Sequence, residues 1–254
     1  MPFLQRPNGC RLFYEVFGAG DPLVLLEGMG GDVTGWRRSI PTLAGELRVV
    51  AFDFRGNGRS DGPDEPMTIG TLADDTLALL DHLHIDAAHL YGQSLGGMVA
   101  QELAVTRPER VRSLILAATY PGPAHAVRHR DKAPKGEPWR LLYSARFAEE
   151  HAEHIAEDLR AGAERPQPAG AARRQWEAIQ AFDSYDRLPS IAVPTLVLHG
   201  TEDRMIHPDN ARILAERIPG ARLVLLDGAG HAYHSERSEA ADAAILEFVR
   251  ALRA

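Results

Sequence analysis

The chain has 254 residues, of which 44% are hydrophobic and 25% are charged, a composition typical of globular proteins and not of disordered ones. Its formal charge of −7 argues against a protein that neutralises the phosphates of nucleic acid. The chain has one cysteine, Cys10, so we expect no intrachain disulfide. It has no apolar stretch of about 18 residues and no apolar run at the amino terminus, so we expect neither a membrane-spanning helix nor a signal peptide. These features predict a soluble, cytoplasmic protein.

Short apolar runs alternate with helical patterns over the first 120 residues. Strands are predicted at 11–17, 23–26, 48–53, 88–92 and 111–117. Helices are predicted at 36–44, with Thr34 as a possible N-cap, at 71–82 and at 95–105. Because the strands are largely apolar and helices separate them, the pattern indicates a parallel sheet that is covered on both faces.

The composition changes between residues 125 and 188, where no strand is predicted and four prolines interrupt the helical spacing. The alternation then returns, with strands predicted at 193–199 and 222–226 and helices at 209–217 and 239–251. A helical block inside a strand–helix pattern indicates an insertion, since about 60 residues with few large apolar groups make a poor independent core. We therefore expect a core formed by 1–124 and 189–254 and a helical lid formed by 125–188.

The strongest motif is Gly-Gln-Ser-Leu-Gly at 92–96, between a predicted strand and a predicted helix. In this context Gly-x-Ser-x-Gly presents a nucleophilic serine, here Ser94, beside a helix amino terminus. A serine needs a base, and the base needs an orienting acid. His231 and Asp203 are the best candidates, because each follows a different strand at the edge where open α/β sheets place their sites.

With these residues in the order Ser94, Asp203 and His231, the chain resembles the α/β-hydrolase fold family, specifically small single-lid esterases and lactonases similar to 3-oxoadipate enol-lactonases. The resemblance covers nearly the whole chain and includes the segments at 27–31, 53–60 and 194–200. It implies an α/β fold with a mostly parallel sheet of about eight strands, helices on both faces and the lid inserted after the sixth strand. It also implies an oxyanion hole made by the backbone N–H groups of Met29 and Leu95.

The oxyanion loop departs from the family, which commonly has His-Gly where this chain has Glu27 and Gly28. In one interpretation, Glu27 anchors the loop by accepting hydrogen bonds from backbone N–H groups. In the other, its carboxylate lies near the nucleophile, stabilises the imidazolium of His231 and raises its pKa.

Other residues compete for the roles of acid and base. Glu202 and Asp227 are neighbouring carboxylates, but Glu202 is expected to point elsewhere and Asp227 to cap a turn. His234 is a rival base whose alternative is a surface position. His207 is expected at the mouth of the site, where it either contacts substrate or serves the loop.

Aromatic residues of the predicted lid suggest a substrate pocket that would also include Gly28. Trp139, Tyr143 and Phe147 are spaced by four and would share one face of a helix. This face either packs the lid onto the core or lines an apolar pocket, and the same alternatives hold for a second set, Trp176, Ile179 and Phe182.

No metal or nucleotide site is predicted. His82 and His84 would face different sides of a helix, and no phosphate-binding glycine motif is present. A run of basic residues is formed by Arg128, Arg130, Lys132 and Lys135. It either attracts an anionic substrate or is a solvated face.

The sequence therefore predicts a cofactor-free serine hydrolase, monomeric or homodimeric, that cleaves esters or lactones of a small, partly apolar substrate through an acyl-enzyme. The serine argues against the related haloalkane dehalogenases and epoxide hydrolases, which use a carboxylate nucleophile. C–C bond hydrolysis and cofactor-free perhydrolysis use the same residues and stay open. A small-ligand receptor with the same fold, which would bind without turnover, stays open as well.

Overall fold

The computed structural model describes residues 2–129 and 137–253. Its eight strands form one sheet in the order β1-β2-β4-β3-β5-β6-β7-β8. Strand β2 pairs antiparallel with β1 and β4, and the other neighbours are parallel. The mostly parallel sheet is therefore confirmed, with an edge strand, β1, that was not predicted. The strands are β1 (Phe3–Gln5), β2 (Arg11–Phe17), β3 (Asp21–Leu26), β4 (Leu47–Phe52), β5 (Ala88–Gln93), β6 (Val111–Ala117), β7 (Thr195–Gly200) and β8 (Arg222–Leu226).

Nine α-helices are found in the described residues, and none of these is long and apolar enough to cross a membrane. Short 3₁₀ turns occur at Val33–Trp36, Pro108–Arg110, Pro138–Leu141 and Leu188–Ser190. The α-helices are α1 (Ile40–Leu43), α2 (Ile69–His82), α3 (Leu95–Thr106), α4 (Ala145–Glu150), α5 (Ala152–Ala163), α6 (Ala169–Ala181), α7 (Asp209–Arg217), α8 (Tyr233–Glu236) and α9 (Ser238–Ala251).

The helix predicted at 36–44 is replaced by the 3₁₀ turn Val33–Trp36 and the short helix α1. Asp32, and not Thr34, caps the turn, because the Asp32 carboxylate accepts the Thr34 N–H at 2.8 Å. Pro41 lies in the first turn of α1, where its missing N–H costs no helical hydrogen bond. The prediction of one continuous helix was therefore wrong.

Both faces of the sheet are covered by apolar side chains. In the central strand β3, Val24 and Leu26 belong to one buried cluster with residues of α2, α3 and α7, whereas Leu23 and Leu25 belong to the other with residues of α1 and α9. Successive strand residues point to opposite faces, which explains this division. The expected helices on both faces are therefore confirmed.

Helices α4, α5 and α6 lie between β6 and β7, in the stretch where the helical block was predicted. Three residues of the basic run, Arg130, Lys132 and Lys135, lie outside the described residues. The fourth, Arg128, is exposed.

A buried ion pair stabilises the turn after β4. Asp75 of α2 is fully buried and accepts hydrogen bonds from Arg55 at 2.6 and 2.7 Å and from Arg6 at 2.9 Å. Because Asp75→Asn leaves buried arginine charge uncompensated, we expect it to lower the free energy of unfolding by about 3 kcal/mol in urea titrations. Asp81 lies on the same helix as Asp75 and forms an exposed ion pair with Arg110, so Asp81→Asn should cost under about 1 kcal/mol. Equal losses would contradict this assignment.

Candidate active site

Ser94 occupies the sharp turn between β5 and α3. Its backbone has φ 51° and ψ −114°, a conformation that side-chain-bearing residues rarely adopt. Two hydrogen bonds hold this backbone, one from Ser94 N to Ala117 O at 2.9 Å and one from Thr119 Oγ1 to Ser94 O at 2.7 Å. Helix α3 begins at Leu95, whose N–H in the first turn has no partner within the helix.

The two glycines of the motif are required by close packing. A Cβ atom on Gly96 would lie 1.9 Å from the Leu26 carbonyl oxygen, and one on Gly92 would lie 2.3 Å from the Gly96 carbonyl oxygen. Since both obstacles are backbone atoms, neither can move aside cheaply. Gly96 is therefore required by the contact with strand β3, and Gly92 by the close approach of the backbone within the turn itself.

His231 and Asp203 form a buried hydrogen-bonded pair. His231 Nδ1 lies 2.8 Å from Asp203 Oδ2, and Asp203 Oδ1 accepts the N–H groups of Met205 at 2.8 Å and Ile206 at 2.9 Å. Burial alone would raise the pKa of Asp203, but the charge of His231 and hydrogen bonds from His231 and His199 hold it well below its ordinary value. Because the ionised carboxylate accepts the Nδ1 proton, the Nε2 atom of His231 is left with its lone pair.

Two supporting residues were not identified from the sequence. His199 is fully buried, donates from Nε2 to Ile206 O at 3.0 Å and lies 3.1 Å from Asp203 Oδ2. Gln93 is buried and donates from Nε2 to His231 O at 2.9 Å. Gln93 contacts a residue 138 positions away in the chain, so no local pattern predicts this contact, whereas His199 lies four residues before Asp203, a spacing that could have pointed to it.

The loop after β3 places Met29 in the wall of a cavity that Ser94 also lines. Its neighbours already have partners, since Gly28 N–H donates to Glu27 Oε1 at 2.8 Å and Gly30 N–H donates to Gln175 Oε1 at 3.3 Å. Within 2–129 and 137–253, no acceptor contacts the N–H of Met29. That N–H is therefore available to a ligand.

A cavity of about 330 Å³ opens at this edge of the sheet. Its volume is at the small end of the range for ligand sites. The residues of the predicted site that line it are Ser94, His231, Gly28, Met29 and Tyr143.

The three aromatic residues of the predicted lid do not share a helix, contrary to the prediction. Trp139 lies in the turn Pro138–Leu141, Tyr143 follows that turn, and Phe147 lies in α4. The chain changes direction because Ser144 caps a new helix by accepting the Phe147 N–H at 3.3 Å. Of the three, only Tyr143 lines the Ser94 cavity, and Phe147 lines a separate cavity of about 850 Å³.

Two other pocket predictions also need correction. His207 is not among the described residues that line the Ser94 cavity, and its Nδ1 instead accepts the N–H of Asp209 at 3.2 Å. The second aromatic set is divided, because Trp176 is 54% exposed whereas Ile179 and Phe182 belong to the buried core. Exposure of one member and burial of the others exclude a shared pocket face.

His234 is a buried residue and not the surface histidine considered as its alternative. Its ring packs against Trp36, with 5.2 Å between the ring centroids, and it lines the Ser94 cavity. Burial lowers the pKa of His234 to about 4, so the ring is neutral at pH 7. The hydrogen bond to Asp203 belongs to His231, which favours His231 as the base.

Glu27 is the buried first residue of the loop after β3. Its Oε1 accepts the Gly28 N–H at 2.8 Å, and this hydrogen bond favours the anchoring interpretation. The pKa of Glu27 is raised to about 7, mainly by burial and also by the charge of Asp32, whereas the hydrogen bond from Gly28 and the charge of His231 act to lower it.

We expect the stability of the protein to depend on pH through Glu27. Between pH 4.5, the ordinary pKa of a glutamate, and about pH 7, Glu27 is ionised in the unfolded chain but protonated in the folded one. The free energy of unfolding therefore falls as the pH rises. Urea titrations at pH 5 and pH 8 should show this loss, and Glu27→Gln should reduce it by about 2 kcal/mol. An unchanged pH dependence in the variant would contradict the assignment.

Three comparisons with known proteins found similar sequences and structures. A family model described as "alpha/beta hydrolase fold" matches residues 21–161 and 162–238. "Putative carbamate hydrolase RutD" of Azorhizobium caulinodans is 31% identical over 98% of both chains. The pimeloyl-[acyl-carrier protein] methyl ester esterase of Aeromonas hydrophila is 34% identical, over 86% of this chain and 91% of that protein. The enol-lactonase of Burkholderia xenovorans superposes with a TM-score of 0.85 at 30% identity, over 98% of this chain and 100% of the lactonase.

Proposed function

Because the chain belongs to the alpha/beta hydrolase fold family and is a hydrolase, we propose that it cleaves carboxylic esters or lactones, with Ser94 as nucleophile, His231 as base and Asp203 as orienting acid. The observation that supports this most is the 2.8 Å hydrogen bond between His231 and the buried Asp203, at the cavity that Ser94 lines. Relatives named for ester and enol-lactone hydrolysis support the substrate class.

The first half of the reaction forms an acyl-enzyme. Ser94 Oγ attacks the substrate carbonyl carbon while His231 Nε2 takes its proton, and the Asp203 carboxylate stabilises the resulting imidazolium. The carbonyl oxygen becomes an oxyanion that accepts the N–H groups of Met29 and Leu95. Such donors are typically worth about 3 kcal/mol of barrier each.

The first half ends when the tetrahedral intermediate collapses, the bond to the leaving oxygen breaks, and His231 gives its proton to the leaving alcohol, which leaves the acyl-enzyme. In the second half, water that is deprotonated by His231 attacks the acyl carbon. This second intermediate collapses, the bond between the acyl carbon and Ser94 Oγ breaks, and His231 returns the proton to Ser94 Oγ as the acid is released. With a lactone, the leaving hydroxyl stays tethered and the product is one hydroxy acid. No cofactor takes part in these steps.

The segment 125–188 is included in the proposal as a lid over the site. Tyr143 and Asp158 of this segment line the Ser94 cavity from one side. The Asp158 carboxylate accepts hydrogen bonds from Tyr143 at 2.8 Å and from Ser235 and Arg37 of the core. This carboxylate therefore fastens the segment to the core at the cavity wall.

Covalent labelling combined with turnover tests the proposal. We expect a fluorophosphonate to add once, at Ser94, as seen by intact and peptide mass spectrometry, and to abolish hydrolysis of 4-nitrophenyl acetate or γ-butyrolactone. Hydrolysis that survives complete labelling of Ser94 would overturn the assignment. A ligand that raises the melting temperature without being consumed would instead indicate a receptor.

A further inference from the structure

A second cavity, of about 350 Å³, adjoins the Ser94 cavity, and the side chain of Met205 lines both. Aromatic and apolar groups form part of its wall, among them Tyr120, Leu141 and Trp176. The 54% exposure of Trp176, which is unusual for so large an apolar side chain, is therefore exposure at a cavity.

The walls of this second cavity are braced against the loop that carries the orienting acid. The buried Asn210 side chain accepts the Val127 N–H and donates to the Val127 carbonyl oxygen, each at 2.9 Å. His129 Nε2 donates to the Asp203 carbonyl oxygen at 2.8 Å. The cavity is thus held by the same framework that positions the catalytic pair.

The two cavities differ in charge. Arg128 and Arg204 line the second cavity, and no carboxylate is among the described residues that line it. The Ser94 cavity is lined by three acidic residues, Glu27, Asp32 and Asp158, and by two arginines, Arg37 and Arg165, so it has no such excess of positive charge. An anionic group is therefore stabilised in the second cavity relative to the first.

Met205 separates the two spaces. Its N–H is fixed by Asp203 Oδ1 at 2.8 Å, but its side chain is 44% exposed, unbranched and able to change rotamer. Among the described residues that line the second cavity, Met205 is the one that also lines the Ser94 cavity.

We propose that the second cavity is a subsite for the anionic end of an extended substrate, whose alkyl or aryl chain passes Met205 while its scissile carbonyl lies at Ser94. The inference rests on the proposed function and narrows its substrate class to esters or lactones that carry a carboxylate at one end. Arg128 and Arg204 bind the carboxylate, and Trp176 packs against the chain.

Matched substrates test the charge preference. One pair varies the acyl side, 4-nitrophenyl hexanoate against the 4-nitrophenyl monoester of adipic acid, and another varies the alcohol side, hexyl acetate against 6-acetoxyhexanoate. In one pair, kcat/KM should be about tenfold higher for the anionic member. The double variant Arg128→Gln, Arg204→Gln should reduce this ratio to about one. No charge preference in either pair would overturn the subsite.

The double variant Arg173→Gln, Arg222→Gln is the matched control, because both are exposed arginines that line neither cavity and their loss changes the net charge equally. It should leave the ratio unchanged, and an equal loss in this control would assign the preference to overall charge. Met205→Trp, which narrows the passage, should lower kcat/KM for the adipate monoester relative to 4-nitrophenyl acetate by about tenfold. An unchanged ratio would contradict the route past Met205.

A binding measurement separates this inference from the proposed function. Calorimetry with Ser94→Ala protein and 4-phenylbutyrate should show binding that weakens about tenfold when Arg128 and Arg204 are replaced by glutamine. Such binding without any ester turnover by the wild type would refute the proposed function and leave the subsite standing. Turnover combined with arginine-independent binding would refute the subsite alone.

Discussion

Replacing Ser94 by alanine is expected to lower kcat/KM for 4-nitrophenyl acetate by about 10⁴-fold or more. The substitution removes the oxygen that forms the acyl-enzyme, while the N–H groups of Met29 and Leu95 and the cavity remain. Both backbone contacts of Ser94, with Ala117 and Thr119, use main-chain atoms of residue 94 and survive the change. The variant should therefore stay folded, with a melting temperature close to that of the wild type, and lose the chemical step.

The control for this prediction is Ser190→Ala, at an exposed serine before β7 whose hydroxyl donates to the Arg187 carbonyl oxygen. It should keep wild-type turnover. Retention of a tenth or more of the activity in Ser94→Ala, measured after contaminating esterases are excluded by the same purification of both variants, would remove Ser94 from the mechanism.

Asp203→Asn is expected to lower kcat by about 10⁴-fold, because it reverses the hydrogen bond to the base. In the variant, the group that faces His231 Nδ1 is the side-chain amide, whose N–H donates a hydrogen bond where the carboxylate oxygen accepted one. The imidazole then adopts the tautomer with the proton on Nε2, which can no longer take the Ser94 proton. The other oxygen still accepts the N–H groups of Met205 and Ile206, so the loop should persist.

Glu202→Gln provides the matched control for Asp203→Asn. Glu202 is the adjacent carboxylate in the chain, is exposed, and has no hydrogen bond to His231 among the described contacts. Its substitution should leave kcat within about twofold of the wild type. A collapse of activity in Glu202→Gln together with survival in Asp203→Asn would exchange the roles of the two acids. For both variants, kcat should be measured at several pH values, because a shift of the pH optimum alone lowers kcat at a single pH without any change in the tautomer of His231.

Local patterns predicted those elements whose ends depend on nearby residues. Helix α7, Asp209–Arg217, has the predicted ends, and α3 extends one residue beyond its prediction. The prediction failed at 36–44, where Gly35 and Pro41 flank Trp36 and the cap is Asp32. There, burial of Trp36 against Tyr91 determines the path of the chain more than helical periodicity does.

The candidate site divides in the same way. Ser94 and the glycines around it were predictable, because the turn needs particular residue types within five positions. The pocket was not, since the spacing of Trp139, Tyr143 and Phe147 predicts a helix that the Ser144 cap interrupts. His207 was misplaced for a similar reason, because a loop after a strand gives no indication of the direction of its side chains.

The sequence by itself determined the alternation of strands and helices, the sharp turn at Ser94 and the order of Ser94, Asp203 and His231, because these depend on short-range periodicity, on glycine geometry and on the ends of parallel strands meeting at one edge. Only the tertiary structure decided that Gln93 supports the pair of His231 and Asp203, that Glu27 is buried and that Met205 lines two cavities. These features depend on contacts between residues far apart in the chain and on the burial that those contacts create, and neither has a local signature.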